Sequence, residues 1–191
     1  MARAKREGFR SRAAYKLAEL QRAYQLVPRG ARVADLGCWP GGWLQVASAL
    51  VGPGGRVVGV DLAAIDPPLH LANAIALQGD LTQPGVAEVL LDALGGLAEV
   101  VLCDAAPKLT GVRARDRAES ERLLDAVGEL VPKLLKPGGN LLLKLLDGPE
   151  AEAAVGSMRP RFKRLKTVRP AASRKGTSER YLLGWGYQPA S

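Results

Sequence analysis

The chain has 191 residues, 47% of them hydrophobic and 24% charged, which suits one globular domain spanning residues 1–191 and excludes a disordered or fibrous chain. No apolar stretch reaches membrane-spanning length, and the basic, polar start lacks the core of a signal peptide, so a cytoplasmic protein with no membrane partner is expected. The net charge of +8 is uneven: residues 1–22 hold seven Lys/Arg against two acids and residues 156–180 hold nine against one, leaving the 133 residues between them at −5.

In chain order, the basic segment up to about residue 26 predicts a helix in which Lys16 has Ala13, Leu20 and Ala23 as helical neighbours, so its stem borders the apolar face. Ala31–Leu36 reads as a short buried strand. Gly37 can turn the chain, and Gly41 and Gly42 let backbone amides approach a ligand at the start of a helix over Leu44–Leu50. Gly37 and Gly41 are four apart with the bulky Trp39 between them, which does not suit the pyrophosphate of a G-x-G-x-x-G loop. Asp35-x-Gly37-x-x-x-Gly41 instead resembles the first motif of S-adenosylmethionine-dependent methyltransferases, although an ordinary glycine-rich strand-to-helix turn has the same look. Arg56–Asp61 is a second strand ending in an acid about 25 residues after the turn, where a carboxylate can take the ribose hydroxyls of an adenosine. A third strand, Ala74–Leu77, is followed by Asp80, suitably placed for an adenine amino group.

The alternation continues with a helix over Val86–Leu94 and a strand over Glu99–Cys103. A long helix over Asp116–Lys136 places Leu123, Val127, Leu130 and Leu134 on one face and is stopped by Pro137-Gly138-Gly139. Leu141–Leu146 is a fifth strand and Glu150–Ser157 a helix, and Phe162–Val168 and Arg180–Trp185 are two last strands joined by a basic loop. The pattern predicts an α/β fold, a mostly parallel seven-stranded sheet flanked by helices, with ligand sites at the strand C-terminal ends. Cys38 and Cys103 have no metal-ligand spacing and His70 stands alone, so no metal is expected and acid–base chemistry falls to other groups.

Lys144 is the unusual residue. A lone ammonium in the apolar run Asn140–Leu146 is unfavourable unless it is paired or faces a cleft. Asp104 ends the neighbouring strand and Glu179 opens the last one, although each residue alone could be a surface ion-pair partner. Taken together, several segments resemble the FtsJ/RrmJ ribosomal RNA 2′-O-ribose methyltransferases from about residue 9 to residue 187. These are Lys16 in Ser-Arg-Ala-Ala-Tyr-Lys-Leu, the loop Asp-Leu-Gly-x-x-Pro-Gly-Gly-Trp, Asp104 in Asp-x-Ala-Pro, Lys144 at its strand end, and Glu179 before Tyr181.

The resemblance implies a Rossmann-like class I methyltransferase fold, with Lys16, Asp104, Lys144 and Glu179 as the catalytic set. S-adenosylmethionine would be held by Gly37, Gly41, Gly42, Trp43, Asp61, Asp80 and Asp104. It further implies methylation of a uridine ribose in 23S rRNA late in ribosome assembly, by a monomer acting on rRNA or on the assembled large subunit. A tRNA ribose methyltransferase and a non-catalytic, RNA-binding ribosome-assembly factor are the alternatives. Because a ribose 2′-OH is a weak nucleophile, Lys144 would either take its proton or stay charged and orient the oxygen, with Asp104 fixing it from the cofactor side. Cys38-Trp39, Lys108, Gly176 and Ser178 depart from the family pattern, and Lys175 offsets part of the missing charge. Within the basic ends, Arg10, Arg12, Arg161, Lys163, Arg164, Arg174 and Lys175 are the expected RNA contacts. Aromatic content of 5% favours recognition by shape and backbone over base stacking.

Overall fold

The computed structural model describes residue 4 and residues 6–107, 110–173 and 176–189. Lys108, Arg174 and Lys175 therefore lie outside the described residues. The elements run α1 (Ala13–Tyr24), β1 (Arg32–Leu36), α2 (Gly42–Val51), β2 (Arg56–Asp61), β3 (Ala74–Gln78), α3 (Val86–Leu94) and β4 (Ala98–Cys103). They continue with α4 (Arg113–Leu134), β5 (Leu135–Leu146), α5 (Pro149–Met158), a single 3-10 turn (Arg159–Arg161), β6 (Phe162–Val168) and β7 (Glu179–Tyr187). The strands form one sheet in the order β3-β2-β1-β4-β5-β7-β6. β1 to β5 pair in parallel, and β7 runs antiparallel to both β5 and β6.

Both faces of the central strands are covered, so these strands read as continuous apolar runs. Val33, Val57, Val100 and Leu142 pack with Leu17, Leu20, Trp43 and Leu44 of α1 and α2 on one face. Ala34, Val58, Val101 and Leu143 pack with residues of α3, α4 and α5 on the other. The edge strand β6 is different: Lys163, Arg164 and Lys166 are exposed, and charge of this kind discourages a second chain from adding to the edge.

Three boundaries differ from the sequence reading. The helix expected up to about residue 26 is narrower: Gly8 turns the chain at φ +77°, α1 begins at Ala13, and Gln25 caps it in the left-handed conformation. At the other end of the sheet, β5 begins at Leu135 rather than Leu141. The long helix thus ends before Pro137-Gly138-Gly139, and Lys136, expected in its last turn, pairs instead with Glu99 at 3.0 Å. The residue before a proline is biased away from helix, which favours this early stop. The register slips between Ala98 and Val100, so residues 136–139 bulge out before Asn140 resumes pairing.

Pro132 lies inside α4 and has no N–H to give the carbonyl of Gly128. Arg161 supplies the missing donor, its Nη1 reaching Gly128 O at 2.9 Å.

The docking of α1 positions everything that follows. Trp43 is 3% exposed, and its Nε1 donates to the carbonyl of Ala13 at 2.8 Å. The Gln21 side chain closes the other end of the helix, donating to Val27 O and accepting from Val27 N. Trp43→Phe keeps most of the packing but loses this hydrogen bond, leaving the carbonyl only its place in the helix. The substitution is expected to lower unfolding free energy by about 1 kcal/mol, as read by urea denaturation.

Candidate active site

The site forms where β1, β2, β4 and β5 end and β7 begins. Register fixes its centre: Lys144 of β5 lies opposite Tyr181 of β7, and Leu146 lies opposite Glu179. Asp104 follows β4 directly. Its Oδ1 is 3.2 Å from Lys144 Nζ, which also donates to the Asp104 backbone carbonyl. The same Oδ1 accepts from the Tyr181 hydroxyl at 2.7 Å. Lys16 reaches across from α1, with its Nζ 2.6 Å from Glu179 Oε1 and 3.4 Å from the Tyr181 hydroxyl oxygen. Ser173 donates to Glu179 Oε1 at 3.0 Å.

The four expected catalytic residues are therefore brought together in one connected network. Their side chains are only 10 to 17% exposed, so each is paired as a largely buried charge must be. Burial tends to raise the carboxyl pKa of Glu179, but the Lys16 ammonium and the Ser173 hydroxyl more than offset it and leave the group below its ordinary value.

Tyr181 is the member that sequence reasoning passed over. It is fully buried, and burial together with the carboxylates of Asp104 and Glu179 pushes its phenol far above the ordinary range. It therefore stays protonated and donates. The available signal was its position two residues after Glu179, on the same face of a strand.

The cofactor cleft adjoins this network. Gly37 and Cys38 donate their N–H groups to Val60 O at 2.8 and 3.2 Å, tying the turn to the end of β2. Gly37 has φ +80°, and a Cβ there would lie 2.5 Å from the Ala105 side chain, so only glycine fits. Gly37, Asp61, Leu62, Asp80, Ala105 and Pro107 are among the residues lining a cavity of about 340 Å³. Asp61 accepts from Trp39 N and Ala63 N, both at 3.0 Å. Each oxygen of that carboxylate keeps capacity for a further donor. Asp80 Oδ1 accepts from the Thr82 N–H and hydroxyl, and these bonds hold its pKa below the ordinary value. A second cavity, of about 450 Å³, lies beside Lys144 and meets the first at Ala105, Pro107 and Leu123.

S-adenosylmethionine carries two positive centres, and the structure offers an unmatched carboxyl group. Asp35 is fully buried, and neither carboxylate oxygen has a hydrogen-bond partner. Burial, then the carboxylates of Asp104 and Asp61, raise its pKa well above the ordinary value. The buried hydroxyl of Ser11 is likewise unpaired, where a Cβ on Gly42 would lie 2.3 Å away. A cationic amino-acid end would relieve Asp35, and the adjoining cleft ends in two carboxylates fit for an adenosine. The residues present fit the cofactor.

Not every expected site residue lines the cleft. The Trp43 side chain, expected at the cofactor, is instead the anchor of α1. Gly41 stands at φ +104° against Leu69 at the N-cap of α2. Among the expected RNA contacts, Arg12 is exposed, whereas Arg10 donates to Pro67 O and Pro68 O at 2.7 and 3.2 Å. Arg161 and Lys163 lie by Tyr187, at the far end of the sheet from Glu179. The half-buried Arg161 is occupied by Gly128, so its side chain is structural. Arg164 lies over the Trp185 ring, 4.1 Å from its centroid. Among the described residues, no group of His, Cys, Asp and Glu is arranged to hold a metal ion.

Comparison with known proteins gives one family. The model of the FtsJ-like methyltransferases matches residues 9–187. The ribosomal RNA large subunit methyltransferase E of Methanothermobacter thermautotrophicus is 44% identical over 181 residues, covering 95% of this chain and 85% of that protein. A Plasmodium falciparum crystal structure described as a ribosomal RNA methyltransferase superposes with a TM-score of 0.81 at 25% identity, covering 95% of this chain and all of that one. Fibrillarin of Aeropyrum pernix, with S-adenosyl-L-methionine bound, shares the fold at a TM-score of 0.65 and 17% identity, covering 92% and 74% of the two chains.

The network makes a pH-dependent prediction. With the Glu179 carboxyl lowered in the folded state, its contribution to stability is complete above about pH 4.5 and is lost as pH falls through the lowered value. Glu179→Gln should destabilise the protein by on the order of 2 kcal/mol at neutral pH. Its denaturation curves should converge with those of the parent in acid; a constant gap across that range would deny the linkage.

Proposed function

The chain belongs to the FtsJ-like methyltransferase family, and from that premise we propose that it transfers the methyl group of S-adenosylmethionine to the ribose 2′-OH of a uridine in 23S rRNA. The proposed setting is the large ribosomal subunit, late in its assembly, with the enzyme acting as a cytoplasmic monomer. The observation that carries this reading is the unbroken network of Lys144, Asp104, Tyr181, Lys16 and Glu179, opening between two adjoining cavities. One cavity suits an adenosine, and the other leaves room for a nucleoside beside Lys144.

The cofactor would be held by Asp35 and the Gly37–Gly42 turn at its amino-acid end and by Asp61 and Asp80 at its adenosine. Bound there, it supplies an electrophilic methyl on a sulfonium. The remaining work belongs to the chain. A 2′-OH must lose its proton as its oxygen gains the methyl, and alignment alone can lower such a barrier by several kcal/mol. Lys144 has three positions on its nitrogen, and two of them are turned to the carboxylate and carbonyl of Asp104. The third is left for the substrate oxygen, whether the amine takes the proton or, as an ammonium, orients the lone pair. Asp104 fixes Lys144, and Tyr181, anchored in the core, fixes Asp104. Lys16 and Glu179 then position the ribose from the α1 side.

No member of the network is missing, which weighs against a non-catalytic assembly factor. Labelled-methyl transfer to undermethylated large subunits, free rRNA and bulk tRNA, with nuclease mapping of the product, tests the reading. Label at a 2′-O-methyluridine of the subunit is expected, whereas label in tRNA alone would replace the substrate. Two variants separate binding from chemistry. Lys144→Ala should lower transfer by at least about a hundredfold with cofactor affinity unchanged. Asp35→Asn should weaken cofactor binding by about tenfold or more, as measured by calorimetry. Persistent turnover in the lysine variant would remove Lys144 from its role.

A further inference from the structure

Three arginines of the basic C-terminal segment are already engaged by acceptors within the protein. Arg161 is held by Gly128 O, Arg169 by Asp147 and the Thr177 carbonyl, and Arg180 by Asp147 and Glu152. The side chains of Arg164 and Lys166 on β6 are exposed and, among the described residues, have neither an ion pair nor a hydrogen bond. Each is seated on a ring instead: Arg164 Cζ lies 4.1 Å from the Trp185 centroid and Lys166 Nζ 5.0 Å from that of Tyr24. The two rings touch, with centroids 6.2 Å apart. Both pack against the core on the α1 side of the sheet.

A third contact of the same kind lies in the active site, where Lys16 Nζ is 5.8 Å from the Tyr181 centroid. Tyr181 and Trp185 are four residues apart on β7, and Lys16 and Tyr24 are eight apart on α1. At the rises of a strand and a helix, both intervals give about 12 to 14 Å. The stacked cations thus continue the line of the network along α1 and the sheet edge.

A guanidinium lying flat on an indole loses little further freedom on binding and keeps its N–H edge for a bidentate acceptor such as phosphate. Because these rings are covered by cations and core, they act as seats for charge rather than as platforms for bases. We infer that Arg164 and Lys166, held by Trp185 and Tyr24, form a preorganised phosphate track that grips the RNA strand a short run of nucleotides away from the ribose being methylated. This inference rests on the RNA-methylating function proposed above.

The test compares Arg164→Glu/Lys166→Glu with Lys133→Glu, a charge reversal at an exposed residue of α4 on the opposite layer. RNA affinity is measured against salt, using rRNA fragments that carry the target uridine and are shortened progressively from either side. The double variant should bind the long fragment about tenfold or more weakly, with a salt slope shallower by about 1.4. It should also match the parent on the shortest fragment, with unchanged cofactor affinity and kcat. Trp185→Leu, which changes no charge, should weaken the long fragment about two- to fivefold, with thermal unfolding as the check that the fold survives.

Equal effects per reversed charge in the double variant and Lys133→Glu would reduce the track to bulk charge, and unchanged binding in the double variant would remove it. A parent protein that methylates RNA while the variants bind normally overturns only the track. A parent that transfers methyl to no RNA overturns the proposed function and the track together.

Discussion

One carboxylate oxygen holds the working end of this molecule together. Asp104 Oδ1 lies within reach of both the Tyr181 hydroxyl and Lys144 Nζ, so three strands converge on a single atom. From Tyr181 the network passes to Lys16 and thus to α1, an element that contributes nothing to the sheet. Removing one partner from such a buried set strands the others, which is why its members form a unit rather than a sum of separate contacts. The same arrangement keeps the long side chain of Lys144 in one place, as the role proposed for it requires.

The surrounding fold makes room for this unit by leaving atoms out. A Cβ on Gly37 would strike Ala105, and one on Gly59 would strike Cys38 at 2.6 Å, so the first turn lies directly against the end of β4 and the adjacent strand. Cys38 fills the space beside Gly59, while Trp39, 57% exposed, places its backbone N–H on Asp61 and turns its ring to solvent. The pair that departs from the family pattern is thus divided between core and surface. The turn beneath it keeps the backbone position that a cofactor needs.

Much of this architecture was legible in the sequence, because apolar runs ending in Asp or Lys report a strand that leaves the core for a cleft. The acids and lysine at Asp61, Asp104 and Lys144 were read in this way, and the mostly parallel sheet followed from the alternation of elements, whereas the order of its strands did not. What the sequence concealed depended on partners distant along the chain. Asp35 reads as part of a loop motif, and only folding shows its buried carboxyl oxygens without a hydrogen-bond partner. Trp43 sits among binding residues in the motif yet faces α1, since a helix start points adjacent residues in different directions. Arg161 looks like one more surface cation until Pro132 exposes a carbonyl for it. The early start of β5 was hidden by Pro137 and two glycines, which signal a turn whether they end a helix or interrupt a strand.

Pro132 and Arg161 also have a mechanical side. The guanidinium fastens the last turns of α4 to the segment immediately before β6, so the outermost strand is pinned to a helix on one layer while its aromatic-seated cations face the other. An edge strand without such a rivet could swing about its single neighbour, β7. With it, the far end of the basic edge keeps a fixed distance and angle from Lys144. The sheet border becomes a ruler rather than a flap, and any ligand lying along it is measured from a point set by a helix that the ligand never meets.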